Sequence, residues 1–160
     1  MTIKTGDTLP ETTFMTMTED GPAPITTNEA FAGKRVALFA VPGAFTPTCS
    51  ARHLPGFVEK ADALKAKGID RIACTSVNDV FVMNAWAKDQ NADGDVLMLA
   101  DGNGEFAEKI GLVMDGSKFG MGKRSQRYAM VVNDKVVEHL FVEEAGGFEV
   151  SSAEHMLEKL

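Results

Sequence analysis

Three short apolar runs, RVALFAV at 35–41, DRIACTSV at 70–77 and VLMLA at 96–100, alternate with stretches whose apolar residues recur at helical spacing. Strands separated by crossover helices are forced to run parallel, and helices must then cover the sheet. The first helical stretch runs from about Thr48 to Lys67, carries Leu54, Phe57, Val58, Ala61 and Leu64 on one side, and is closed by Gly68. Pro55 is expected to bend it near its first turns. The second is VFVMNAWAKDQ, with Asn78 and Asp79 as cap candidates, and the third follows the turn in DGNGEFAEKIGL. Beyond it, MDGSKFGMGK at 114–123 holds three glycines and reads as a mobile loop. RYAMVVND and KVVEHLFV then read as strands of a hairpin turning at Asn133 and Asp134. A Ser151-to-Glu154 capping box opens a terminal helix. Residues 1–34 form a Pro-, Gly- and Thr-rich opening with short extended pieces, a β extension at the N-terminal side. The order β-α-β-α-β-α-β-β-α predicts an α/β three-layer sandwich with a mixed central sheet.

A chain of 160 residues is expected to form one domain. Its net charge of −7 argues against a nucleic-acid surface, which concentrates Lys and Arg. The chain holds no apolar run of membrane-spanning length. MTIKTGDTLPETTF has neither the basic nor the apolar region of a secretory signal, so a cytoplasmic location with reduced cysteines is expected.

One of the two cysteines stands in VPGAFTPTCSARH. Thr46 reads as a helix N-cap, Pro47 as the first helical residue, and Cys49 as the third. Free backbone N–H groups and the positive end of the helix dipole stabilise a thiolate there, so Cys49 reads as a reactive cysteine rather than a small buried hydrophobe. Other cysteine chemistries fit poorly. His53, one helical turn on, has no Asn or Asp to orient it as the base of a hydrolase, and reads as an exposed or partly buried polar residue beside the site. Two widely spaced cysteines and three scattered histidines match no zinc pattern, so no metal is expected. DGNGE at 101–105 resembles the start of a calcium loop, but Leu112 stands where Glu is required. GSKFGMGKR fails as a phosphate loop because Ser117 and Arg124 replace required residues.

A dithiol exchange motif is also missing. Cys49 has no cysteine three residues away on either side. All six prolines lie at or before Pro55, so the cis-proline that precedes the third core strand of thioredoxins has no counterpart, and Arg127 stands near that point instead. A thioredoxin-like arrangement fits the element order, as do other mixed-sheet folds. The pattern points to a cysteine that reacts alone with a small electrophile.

PGAFTPTCSARHLPGF carries the P-x-x-x-[TS]-x-x-C signature of the peroxiredoxins, as Pro42, Thr46 and Cys49. With NDVFVMNAWAK, DGNGEFAEKIGL and RSQRYAMVVND it resembles the type II branch over essentially the whole chain. The resemblance implies a thioredoxin-like fold and reduction of hydrogen peroxide and organic hydroperoxides. In that reading Cys49 is the peroxidatic nucleophile, Thr46 and Arg127 hold the peroxide oxygens, and Pro42 shields the thiolate. No bound cofactor is implied. The mammalian member of the branch has a resolving cysteine near its C-terminus, whereas GGFEVSSAEHM has none. Cys74, in the apolar run RIACTSV, is either a structural or a resolving thiol. The implied reductant is an external thiol, glutathione with or without glutaredoxin, or thioredoxin. A homodimer is implied, with the Trp86 helix and the active-site loop near the interface. Trp86 and Tyr128 read as core or interface aromatics, and Lys123 and Arg124 as ordinary loop charges. The rival reading is a thioredoxin-like redox sensor in which Cys49 is oxidised once and alters partner binding.

Overall fold

A computed structural model describes residues 2–160. The three apolar runs become β3 (Arg35–Ala40), β4 (Arg71–Ser76) and β5 (Leu97–Ala100), mutually parallel and adjacent. β8 (Tyr128–Asn133) pairs antiparallel with the far side of β3, and β9 (Val136–Val142) with β8. The opening residues form a hairpin, β1 (Thr13–Thr18) and β2 (Gly21–Thr26), that extends the sheet beyond β5. The order is therefore β2-β1-β5-β4-β3-β8-β9. Pro22 and Pro24 are tolerated because β2 is an edge strand.

Both faces of the sheet are covered, which is why the central strands read as continuous apolar runs rather than alternating ones. Ala37, Phe39 and Val41 face one way, into a core shared with α2 (Leu54–Glu59), α3 (Ala61–Ala66) and α4 (Val80–Asp89). Val36, Leu38 and Ala40 face the other way, with Phe31 of α1 (Thr27–Phe31) and Phe106 of α5 (Glu105–Ile110). The terminal helix α6 (Ala153–Lys159) closes the first core through Ala153 and Met156.

Four local expectations shift. Residues 114–123, read as a mobile loop, lie in a small hairpin of β6 (Val113–Asp115) and β7 (Lys123–Ser125), with a 3₁₀ turn at Ser117–Phe119 between them. Arg124 is no ordinary loop charge. Its Nε donates to the Met121 carbonyl at 2.9 Å and its guanidinium reaches the Val77 carbonyl at 3.4 Å, which ties this hairpin to the sheet. The β8–β9 turn is made by Asp134 and Lys135, both at positive φ (46° and 71°), because Asn133 still pairs with Val136. The terminal helix is capped by Ser152, which accepts from the His155 N–H, since Ser151 is engaged elsewhere. Asp79 caps α4 as expected, while Asn78 turns its Oδ1 to the Ala44 N–H at 3.0 Å and so pins the loop after β3. No helix among the described residues is long and apolar enough to cross a membrane.

Candidate active site

The site forms where β3 leaves the sheet. The Val41 N–H still bonds to the Thr75 carbonyl at 3.2 Å, and then Pro42 to Thr46 loop outward with Phe45 at a positive φ of 66°. Helical structure resumes at Pro47, and the Thr46 carbonyl accepts the Ser50 N–H, so Thr46 does occupy the cap position. Its hydroxyl does not cap an amide. It sits 2.8 Å from Cys49 Sγ and 2.7 Å from the Gly43 carbonyl oxygen.

Cys49–His53 is a π-helical turn that runs into α2, closed by the Leu54 N–H on the Cys49 carbonyl. Pro55 explains it locally, since a residue without an N–H cannot continue the i→i−4 ladder, and a wider turn absorbs the break. The turn directs both Cys49 and His53 inward, each fully buried. The sequence alone suggests an exposed or partly buried His53, and the fold buries it instead because the turn points its ring into the core. The ring is enclosed by Phe39, Phe57 and Phe148, with centroids 4.9, 5.7 and 5.0 Å away.

Arg127, immediately before β8, joins these pieces. One guanidinium nitrogen donates to Cys49 Sγ at 3.0 Å and another to His53 Nδ1 at 2.8 Å, while His53 Nε2 lies 2.9 Å from the Ser151 carbonyl oxygen. Arginine can only donate and a carbonyl can only accept. His53 must therefore be neutral, with its proton on Nε2 and a lone pair on Nδ1. Burial, reinforced by the Arg127 charge, pushes its pKa down to about 3, against the weaker pull of the Ser151 carbonyl.

The Thr46 hydroxyl has one proton and two neighbours able to take it. Facing a thiol, it accepts the S–H and donates to Gly43. Facing a thiolate, it turns its proton to the sulfur. A buried sulfur flanked by a hydroxyl and a guanidinium is built to carry negative charge.

Beside it opens a cleft of about 650 Å³, lined by Pro42, Thr48, Met114, Phe119 and Arg127 among others, with Phe119 largely exposed at its rim. The three signature residues and Arg127 thus converge on one site: Thr46 and Arg127 touch Cys49 Sγ, and Pro42 forms a wall of the cleft. Cys74 does not join them. It lies fully buried on β4 in the same apolar core, where burial raises its thiol pKa well above the usual range.

A family model described as Redoxin matches residues 4–157. Peroxiredoxin-2E of Arabidopsis thaliana, a chloroplastic protein, is 51% identical over 162 residues, covering 99% of this chain and 69% of that protein. Peroxiredoxin-2B of the same plant is 46% identical over 159 residues, covering 99% of this chain and 98% of its own. The chain belongs to the peroxiredoxins. Among solved structures, reduced Prx3 from Vibrio vulnificus in complex with hydrogen peroxide matches with a TM-score of 0.95 at 54% identity, over 98% of each chain. The mixed sheet flanked by helices is accordingly the thioredoxin-like fold of that family. As a peroxiredoxin the protein is a thiol peroxidase that needs no prosthetic group and draws on an external thiol.

The buried neutral His53 makes this peroxiredoxin's stability pH-dependent. In the unfolded chain an imidazole titrates near 6.5, but in the fold near 3, so between those values the unfolded state binds the extra proton. Stability from this group is complete above pH 6.5 and is lost as pH falls, by up to about 1.4 kcal/mol per pH unit. Urea midpoints at pH 7.5, 6 and 5 should fall in sequence, and His53→Gln should flatten the trend. An equal slope in the variant would assign it to other groups.

Proposed function

We propose that Cys49 is the peroxidatic nucleophile and that Thr46, Arg127 and Pro42 complete the catalytic site. The observation that supports this most directly is the convergence of the Thr46 hydroxyl and the Arg127 guanidinium on Cys49 Sγ, at 2.8 and 3.0 Å. The thiolate pair attacks the terminal oxygen of ROOH, the O–O bond breaks, and the products are Cys49 sulfenic acid and, after protonation, ROH. Arg127 and Thr46 are placed to hold the two oxygens as charge develops on the leaving one, with backbone N–H groups at the helix start assisting. Pro42 keeps bulk water off the sulfur. Hydrogen peroxide and small organic hydroperoxides are the substrates; the related Prx3 structure with bound hydrogen peroxide supports the first.

Glutathione, with or without glutaredoxin, or thioredoxin then attacks the sulfenic acid, releasing water and leaving a mixed disulfide that a second thiol reduces. Cys74 is a structural thiol in this reading, because its burial and raised pKa both oppose attack. Two unpaired, buried cysteines suit a reducing cytoplasmic setting. Exposed Phe45 on the active-site loop and exposed Phe81 on α4 are apolar surface that a homodimer would cover, while Trp86 is a core aromatic.

One equivalent of hydrogen peroxide, followed within seconds by a thiol-blocking reagent and mass spectrometry, tests the scheme. Oxygen gained on Cys49 alone is expected. A Cys49–Cys74 link would make Cys74 the resolving thiol, and an untouched Cys49 would sink the assignment. Repeated turnover with a thiol donor separates the enzyme from a one-shot redox sensor.

A further inference from the structure

Just past β9, one carboxylate oxygen organises an entire loop. Glu143 Oε2 accepts from the N–H groups of Glu149, Val150 and Ser151 at 2.8, 2.9 and 2.7 Å, and from the Ser151 hydroxyl at 2.7 Å. The loop folds tightly to make this possible. Gly146 lies at a φ of 78°, and a Cβ on Gly147 would crowd the Glu144 carbonyl oxygen at 3.2 Å. The Glu143 N–H in turn donates to the Arg127 carbonyl at 3.0 Å, so the Glu143 end of the loop is tied to the backbone of Arg127 itself.

The carboxylate forms no ion pair with Arg127 among the described residues. Its four bonds instead fix Ser151, whose carbonyl is the acceptor that holds the His53 proton on Nε2. That tautomer is what leaves Nδ1 free to receive Arg127. Without a fixed Ser151 carbonyl, donation from Arg127 still favours the Nε2–H tautomer, but the Nε2 proton loses its acceptor and the ring loses the contact that sets its orientation. Arg127 then loses one of the two bonds that aim it at Cys49 Sγ.

We propose that Glu143 is a positioning residue for the peroxidase reaction, acting on Arg127 through Ser151 and His53 without touching the reacting atoms. The proposal rests on the assignment of Cys49 and Arg127 above. Misplacement of a catalytic group by about 1 Å costs up to about a hundredfold in rate, so the expected effect is large for a residue that lines the cleft without touching the sulfur.

The test is a set of single-turnover rates for Cys49 oxidation by hydrogen peroxide, read by quenched-flow mass spectrometry, in Glu143→Ala, Glu143→Gln, His53→Ala, Glu143→Ala with His53→Ala, and Arg127→Ala. Glu143→Ala should slow oxidation by about ten- to a hundredfold. Glu143→Gln, which keeps a carbonyl acceptor at the same place, should recover most of that loss. In the His53→Ala background the path is already cut, so adding Glu143→Ala should change the rate less than about twofold. Ring-nitrogen NMR of His53 should show a protonated Nε2 whose proton exchanges slowly in the parent protein, and faster exchange of that proton in Glu143→Ala, where its Ser151 acceptor is no longer held. Equal slowing in both backgrounds, or an Nε2 proton that exchanges as slowly in Glu143→Ala as in the parent, would overturn the proposal. A normal rate in Glu143→Ala with a slow Arg127→Ala would overturn it alone, whereas a normal rate in Arg127→Ala would bring down the parent assignment as well. If the alanine variant does not fold, Glu143→Asp, one methylene too short to reach the loop, is judged by the same outcomes.

Discussion

Cys49→Ser should consume no peroxide above the buffer background while retaining its fold. The reaction oxidises the attacking atom by two electrons, which sulfur accommodates as a sulfenic acid and a serine oxygen does not. The replacement is nearly isosteric, and the new hydroxyl can accept from the same Thr46 and Arg127 donors, so the loss reads as chemistry rather than unfolding. Cys74→Ala is the matching control and should keep the peroxide rate within a few-fold. Cys74 is fully buried among apolar side chains, with the Thr75 carbonyl at 4.0 Å as its hydrogen-bond contact. Peroxide consumption by both variants in the presence of a thiol donor, with circular dichroism to confirm folding, decides the matter. Turnover that survives in Cys49→Ser and disappears in Cys74→Ala would move the nucleophile to β4.

The parts of the fold that could be read from the chain are those whose causes are local. β3, β4 and β5 were legible because strands covered on both faces need apolar residues at every position. The helix start at Pro47 was legible because Pro is favoured at the first helical position, although the Thr46 hydroxyl before it faces Cys49 Sγ rather than an amide. Less was visible where a longer-range partner overrode a local preference. Ser151 and Glu154 looked like a capping box, but Glu143 captures the Ser151 hydroxyl and amide, and the cap passes to Ser152. The glycines at 116, 120 and 122 suggested mobility, yet they serve the tight connection between β6 and β7. His53 is the clearest case. A lone histidine after a reactive cysteine reads as surface, because its partners Arg127 and Ser151 lie 74 and 98 positions away and come together only in the folded sheet. The proximity of Arg127 to Cys49 was anticipated through family resemblance, not through any local pattern in RSQRYAM.

Arg127→Ala should lower the rate of Cys49 oxidation by about 10²–10³, equivalent to about 2.7–4 kcal/mol of transition-state stabilisation. Ionisation explains only part of such a rate. An ordinary thiol, with a pKa of about 8.5, is a few per cent thiolate at neutral pH, so complete ionisation gains at most roughly thirtyfold. Even that is reduced, because a less basic thiolate is a weaker nucleophile. The larger share must come from donors that bind the peroxide more strongly as the O–O bond lengthens, and Arg127 is, among the described residues, the cation that touches the sulfur. Lysine should not rescue it. The guanidinium bonds Cys49 Sγ and His53 Nδ1 through two different nitrogens at 3.0 and 2.8 Å, a forked geometry that a single ammonium cannot reproduce. Alkylation of Cys49 by iodoacetamide separates the two contributions, because it needs the thiolate but breaks no O–O bond. In Arg127→Ala, alkylation should fall by no more than the ionisation ceiling, while peroxide oxidation falls well beyond it. If both rates dropped by the same factor, Arg127 would act only by favouring the thiolate, and the oxygen-binding role would pass to Thr46 and the helix-start amides.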